Sequence, residues 1–177
     1  MKLAYVSASQ VENYRKCPRY WYGRSVLKMP EPPRPAAEKG LKIHAAAEEY
    51  LKTGKLTEDG EIRPIVEQGL VNLPEPGDDL DVELKFEMAT WEEGPIWTGY
   101  IDLIDSRSAP VRIIDHKTIS DFRYCKTPEE LLSSTQMMAY ARWYFSVEDA
   151  AEVEVMHLYL RTKQPYKAHK VSALAPH

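Results

Sequence analysis

At 177 residues the chain is the size of one ordinary domain and long enough to bury a core of its own. Apolar residues are 44% of the total and charged residues 28%, a globular balance, and no run nears the ~20 apolar residues that a membrane-spanning helix needs. A net charge of -4 argues against a protein that simply coats nucleic acid, although residues 1–42 hold nine Lys/Arg against three Asp/Glu. From charge alone, an unevenly charged solvated surface is the plainer reading. An acidic body with a basic N-terminal segment also suits a chain that grips a polyanion at one edge. The first residues lack the apolar stretch of a signal peptide. Cys17 and Cys125 form neither a CxxC pair nor a disulfide framework, so a reducing, cytoplasmic setting is expected (the host cytoplasm for a phage-encoded chain).

In chain order, Ser9-x-x-Glu12 reads as a capping box opening a short helix through Tyr14 and Lys16, ended by the Cys17-Pro18 step. Four prolines in MPEPPRP (29–35) make an extended connector. Residues 36–53 are rich in helix formers and stop at Gly54, with Gly40 the one weak spot. A shorter helix is expected over 62–72. The period then changes to two. DVELKFEMA (81–89), IWTGYIDLID (96–105) and VRIIDHKT (111–118) read as strands, the last two joined as a hairpin. Thr127-Pro128-Glu129-Glu130 supplies an N-cap, an N1 proline and an N3 glutamate, opening a helix expected to run to about Phe145. EVEVMHLYLRT (152–162) is a strand, and 166–172 can pair with it. The fold class that results is α+β: helices first, a three-stranded meander, a long helix, and one or two more strands.

In VRIIDHKT, Val111, Ile113, Asp115 and Lys117 share one face of a strand, and Arg112, Ile114 and His116 share the other. If RSAP is a four-residue loop, Ser106 faces Val111 and Asp102 lands opposite Asp115 on the same face. Two carboxylates roughly 5 Å apart in neighbouring strands repel unless a cation sits between them. Mg²⁺ or Mn²⁺ suits such oxygen ligands, and a lysine beside the ion can serve the attacking water. D-x-K alone is short and common, and on that pattern alone an ordinary surface Asp–Lys pair is the better explanation.

Gly99-Tyr100-Ile101-Asp102 followed by Ile113-Ile114-Asp115-His116-Lys117-Thr118 resembles two motifs of the PD-(D/E)xK nuclease superfamily, closest to its RecB-like branch. That branch includes CRISPR adaptation nucleases and phage-type exonucleases. Three further signatures of the branch follow the family's order: Ser7-Ala8-Ser9-Gln10-Val11-x-x-Tyr14-x-x-Cys17-Pro18, Gly40 to His44, and Gln136 to Tyr140. The resemblance spans residues 7–140 and implies an α/β/α restriction-endonuclease-like core around a mixed sheet. It implies Asp102, Asp115, His44 and the backbone carbonyl of His116 as metal ligands, and Lys117 as the catalytic lysine. Gln136 and Tyr140 would position the lysine or contact DNA; they are i, i+4 and share a helix face. Glu48, one turn beyond His44, could orient it. Glu83 sits where some relatives carry an extra acidic residue, with Glu87 or plain solvent exposure nearly as good an explanation. Family members that hold an iron–sulfur cluster use four cysteines, and two cannot supply them, so no cluster is expected and Cys17 should pack as a small apolar residue.

Tyr14, Tyr20, Trp21 and Tyr22, interleaved with Arg15, Lys16, Arg19 and Arg24, could stack on bases and hold phosphates, or form a satellite core under the prolines. Of these, Tyr14, Arg15 and Arg19 are the candidate DNA contacts. The expected organisation is a single nuclease domain over 1–177, compact or trimmed at its C-terminus, with 1–35 a basic, aromatic segment. The expected activity is metal-dependent hydrolysis of DNA, with an exonuclease preferred and a role in recombination, repair or phage and defence DNA processing. The alternatives are a structure-specific endonuclease, a non-catalytic nucleic-acid-binding subunit, or a hydrolase of another phosphate ester. DNA is the expected partner and a membrane is not; homo-oligomers and protein partners stay open.

Overall fold

The computed structural model describes residues 3–32 and 34–177. A six-stranded mixed sheet is built from β1 (Tyr5–Val6), β2 (Asp81–Ala89), β3 (Ile96–Asp105), β4 (Val111–Ile119), β5 (Glu152–Arg161) and β6 (Ala168–Pro176). Helices α3 (Pro35–Thr53) and α4 (Arg63–Glu67) cover one face, and α5 (Pro128–Leu132) and α6 (Thr135–Val147) the other. This is the α/β/α arrangement expected from the sequence. Helices α1 (Ala8–Lys16) and α2 (Pro18–Trp21) run into a π-helical turn over Tyr22–Val26, and none of their residues is buried. The satellite core is therefore not formed. Among the described residues no helix is long and apolar enough to cross a membrane.

The two cores follow from helical spacing meeting strand alternation. On α3, Ile43, Ala46, Ala47 and Leu51 recur along one stripe and pack on Ile114, Met156 and Leu158. On α6, Met137, Tyr140, Ala141 and Tyr144 pack on Ile113, Val153 and Val155. Each fully buried Ile or Leu in these layers contributes roughly 1.5–3 kcal/mol. Alternation in β4 is regular, with Val111 and Ile113 on the α6 side and Ile114 on the α3 side, as expected.

Several boundaries differ from expectation. Ser7, not Ser9, caps α1, its side chain accepting the N–H of Gln10. Cys17 is exposed rather than packed, and its Sγ accepts the N–H of Tyr20 to cap α2. The single helix expected after Thr127 breaks at Ser133–Ser134, where Ser134 is extended at φ -69, ψ 121. Serine side chains compete for backbone hydrogen bonds, which weakens a helix at a tandem pair. The capping box of Thr127 and Glu130 is present in full.

In β2 and β3 the alternation inverts. Leu80 and Val82 pack towards α3, whereas Leu84 and Phe86 pack towards α6. In β3, Ile101 faces α6 and Leu103 faces α3. The residues between are Glu83 and Asp102, opposite one another in a register that pairs Val82 with Leu103 and Leu84 with Ile101. Glu83 makes the change possible by adopting φ 55, a left-handed conformation rare for a residue with a side chain.

Candidate active site

The sheet forks at the hairpin. β3 and β4 pair only at Asp105–Arg112, Ile104–Ile113 and Leu103–Ile114. This register is the one inferred from a four-residue loop, but the ladder ends before the expected facing of Asp102 and Asp115. From there β4 stays paired with β5, in parallel, as far as Ile119. β3 stays paired with β2, and β1 joins it in parallel at Tyr5–Ile96. The gap holds a cavity of about 400 Å³. Its walls include Ser9 and Glu12 of α1, the β3 edge at Gly99 and Tyr100, and Lys117, Gln136 and Tyr140.

Asp102 stands at the branch point. Its Oδ2 accepts the backbone N–H of His116 at 2.7 Å, taking the place of a ladder bond. The same oxygen lies 3.4 Å from Nδ1 of His44 and 3.6 Å from Nδ1 of His116. One donor atom from each of these three residues fits within 4.8 Å, a group that could hold a cation. In a strand a residue's N–H and C=O project to the same edge, so the carbonyl of His116 also faces the fork. Burial pushes the Asp102 carboxyl above its ordinary range, against the pull of His44 and of the His116 N–H. Burial likewise lowers His116 to about 4. Gly40 explains how His44 arrives: a Cβ there would lie 3.1 Å from Thr118 Oγ1, so glycine lets α3 settle against β4 one turn before the histidine.

Asp115 keeps different company. Its Oδ2 is 2.5 Å from Lys117 Nζ and 3.6 Å from Nε2 of His157. Lys117 Nζ donates to Gln136 Oε1 at 2.9 Å, and Gln136 Nε2 donates to the Tyr140 hydroxyl at 2.7 Å. That hydroxyl donates to the Tyr100 carbonyl at 2.6 Å, a group on the unpaired edge of β3. The chain of donors runs one way from β4 through α6 to β3, fixing the amide orientation of Gln136 and bridging the fork. Burial alone would depress the Lys117 ammonium, but the adjacent Asp115 outweighs it and holds the pKa above its usual value. Burial pushes the Tyr140 hydroxyl up, so it remains a donor. Phe86 supports the Tyr140 ring edge-on at 5.5 Å. A Cβ on Gly99 would come within 2.9 Å of that phenyl ring.

Other sequence candidates are placed as follows. Glu83 lies near Asp102 and Glu48, and burial with those charges raises it to about 7. Glu48 does not orient His44; it pairs with Lys52 at 2.6 Å. Glu87 pairs with Lys85. Tyr14 and Arg15 lie on exposed α1, with Arg15 Nη1 donating to Thr135 Oγ1 at 2.9 Å, and Arg19 lies on exposed α2. His157 was missed by sequence reasoning. Its signal was a lone histidine on the apolar face of β5, in step with Val153 and Val155; burial lowers it to about 4.

The forked α/β/α sheet thus carries two acid–histidine groups and a tethered lysine at the fork. A family model for the PD-(D/E)XK nuclease superfamily matches residues 5–94, about half of the chain, ending before Asp102. The chain belongs to that superfamily, which makes nucleic acid its substrate class. Comparison with curated proteins finds no match. Among solved structures, a candidate exonuclease from Eubacterium rectale aligns over 96% of this chain and 72% of its own, at 10% identity and a TM-score of 0.65. At that identity the likeness shows the fold. The structure of SSO0001 aligns over 98% of this chain and 69% of its own, at 13% identity and a TM-score of 0.48, too low to argue from.

Proposed function

We propose that the chain is a divalent-metal-dependent deoxyribonuclease, acting as an exonuclease through a single nuclease domain spanning 1–177. The observation that carries the reading is the one-way relay from Asp115 through Lys117, Gln136 and Tyr140 to the Tyr100 carbonyl, beside the His44–Asp102–His116 group.

The donor set fits a divalent ion. Asp115 is a buried carboxylate held through Oδ2 by Lys117, and Asp102 is held between two imidazoles. Asp102, Asp115, His44 and the His116 carbonyl would hold Mg²⁺ or Mn²⁺. When bound, the ion supplies Lewis acidity towards a phosphoryl oxygen and offsets the clustered carboxylate charge. Lys117, kept charged by Asp115, has one N–H left beyond those directed at Asp115 and Gln136, and would donate it to the attacking water or to the charge that builds on the phosphate. Water oxygen bonds to phosphorus, the P–O bond to the leaving sugar oxygen breaks, and the proton released by water ends on that leaving oxygen. Gln136 and Tyr140 keep Lys117 aimed into the fork. Tyr14, Arg15 and Arg19 offer an aromatic and basic surface for the strand approaching it. The similar fold from Eubacterium rectale belongs to a candidate exonuclease, in keeping with this choice of exonuclease over endonuclease.

The test is to incubate linear and circular DNA, single- and double-stranded, with Mg²⁺ or Mn²⁺ and wild type or Lys117→Ala. Cleavage of linear substrates only, lost in the variant by a factor of roughly 10²–10³, is expected. Cutting of circles selects an endonuclease instead, and no metal-dependent cleavage of any substrate retires the reading.

A further inference from the structure

His157 is paired with Asp115 in the parallel ladder of β4 and β5, and both side chains are 2% exposed. Nε2 of His157 is buried and without a hydrogen-bond partner, and it faces Oδ2 of Asp115, the oxygen paired with Lys117 Nζ, at 3.6 Å. A buried, unpaired ring nitrogen aimed at a buried carboxylate oxygen across adjacent strands calls for an explanation, since an unmade hydrogen bond there carries a desolvation cost.

The far side of the ring supplies it. Nδ1 of His157 lies 2.9 Å from the Tyr159 hydroxyl, which accepts the backbone N–H of Lys126 at 2.9 Å. Tyr159 is 4% exposed. Were Nδ1 a donor, that hydroxyl would accept twice and its own buried proton would go unused. The proton therefore goes to Nδ1, and a neutral imidazole accepting there carries its hydrogen on Nε2, the atom facing Asp115.

We propose that His157 is a positioning residue for Asp115: an Nε2–H donor, oriented by Tyr159 and the Lys126 N–H, that fixes the carboxylate from the β5 side. Lys117, two residues along β4, and His157, across the ladder in β5, both approach Oδ2. The proposal rests on the reading of Asp115 as a metal ligand. It ties that ligand to the loop before Thr127, so the start of α5 and the metal site are mechanically joined.

Mn²⁺ binding to the full chain, measured by the electron paramagnetic resonance of free Mn²⁺, tests it alongside cleavage kinetics. His157→Phe, which keeps shape and removes the donor, is expected to weaken Mn²⁺ binding and to lower kcat, each by about 10–100-fold. The KM for DNA should stay within about twofold. His157→Gln, which restores an N–H, recovers most of both losses, and Tyr159→Phe falls between. A folded His157→Phe protein with wild-type Mn²⁺ affinity overturns the proposal, as does a Gln variant no better than Phe. If His157→Phe fails to fold, Tyr159→Phe, which deletes one oxygen, decides by the same readouts. Wild type that binds Mn²⁺ without cleaving retires the nuclease reading and leaves the affinity series to judge His157. Wild type that binds no Mn²⁺ overturns both.

Discussion

At pH 8 Glu83 carries a charge that its surroundings resist, because burial and the carboxylates of Asp102 and Glu48 raise its pKa from 4.5 to about 7. A raised carboxyl contributes stability that is full below its unfolded pKa and is lost as pH rises through the folded value. In chelator, Glu83→Gln should therefore raise stability at pH 8 by about 1 kcal/mol, after allowing for solvent around a half-buried group, and Tm by about 2–4 °C. At pH 4.5 the melting curves of the two proteins should nearly coincide. His116 and His157 act in the opposite sense. Both are depressed from 6.5 to about 4 by burial, so their contribution is present above about 6.5 and is lost as pH falls towards 4. Melting temperatures of the metal-free protein should drop across that window, and His157→Gln should flatten part of the fall. Tyr140→Phe leaves the Tyr100 carbonyl and Gln136 without their shared hydroxyl. A loss of about 1 kcal/mol in denaturant titration is expected, with cleavage falling further than stability.

Among elements, α3 offers a test in which stability and activity part company. Gly40→Ala adds helix propensity worth about 1 kcal/mol but places a methyl 3.1 Å from Thr118 Oγ1. Either the Thr118 side chain or the helix must give by a few tenths of an ångström, and any lift of the helix carries His44 away from Asp102. The expected outcome is a Tm near wild type with metal affinity reduced, and Thr118→Ala in the same chain should restore binding. The three central strands, the face shared by Asp115 and Lys117, and the Ser106–Val111 register were all legible, since each needs only period-two alternation and loop length. So was the Thr127 cap, which is set by four local residues. What escaped depends on distant partners. The ladder's early end at Leu103–Ile114, β1 at Tyr5–Val6, and the left-handed Glu83 arise where several strands and α3 meet. The break at Ser133–Ser134 had a local signal, but helix-favouring residues on either side masked it. Cys17 follows its neighbour Pro18, which starts a new helix and needs a cap more than a packed thiol.

For the whole molecule, the segment over 8–26 stands apart because none of its residues is buried, yet Ser9 and Glu12 wall the cavity that holds Lys117. Such a segment opens at low free energy. Limited proteolysis should cut there first, and short DNA should slow the cut. Tyr14→Ala and Arg15→Ala should each raise KM for DNA by roughly 5–10-fold, the scale of one lost stacking or phosphate contact, with kcat and Tm little changed. A variant in either position that lowers kcat at unchanged KM would place the substrate elsewhere.

The inversion at Glu83 and Asp102 has a consequence for how the strands find one another. In a regular sheet, sliding one strand by a single residue turns its apolar side chains outward, but sliding by two restores the pattern and carries little penalty. Here each of two neighbouring strands changes face at one residue, and the two changes stand in line. A two-residue slip would leave Val82 or Leu84 facing the wrong layer, so even-numbered misalignments are rejected as firmly as odd ones. The bend in the backbone thus acts as a key, admitting a single alignment of β2 against β3.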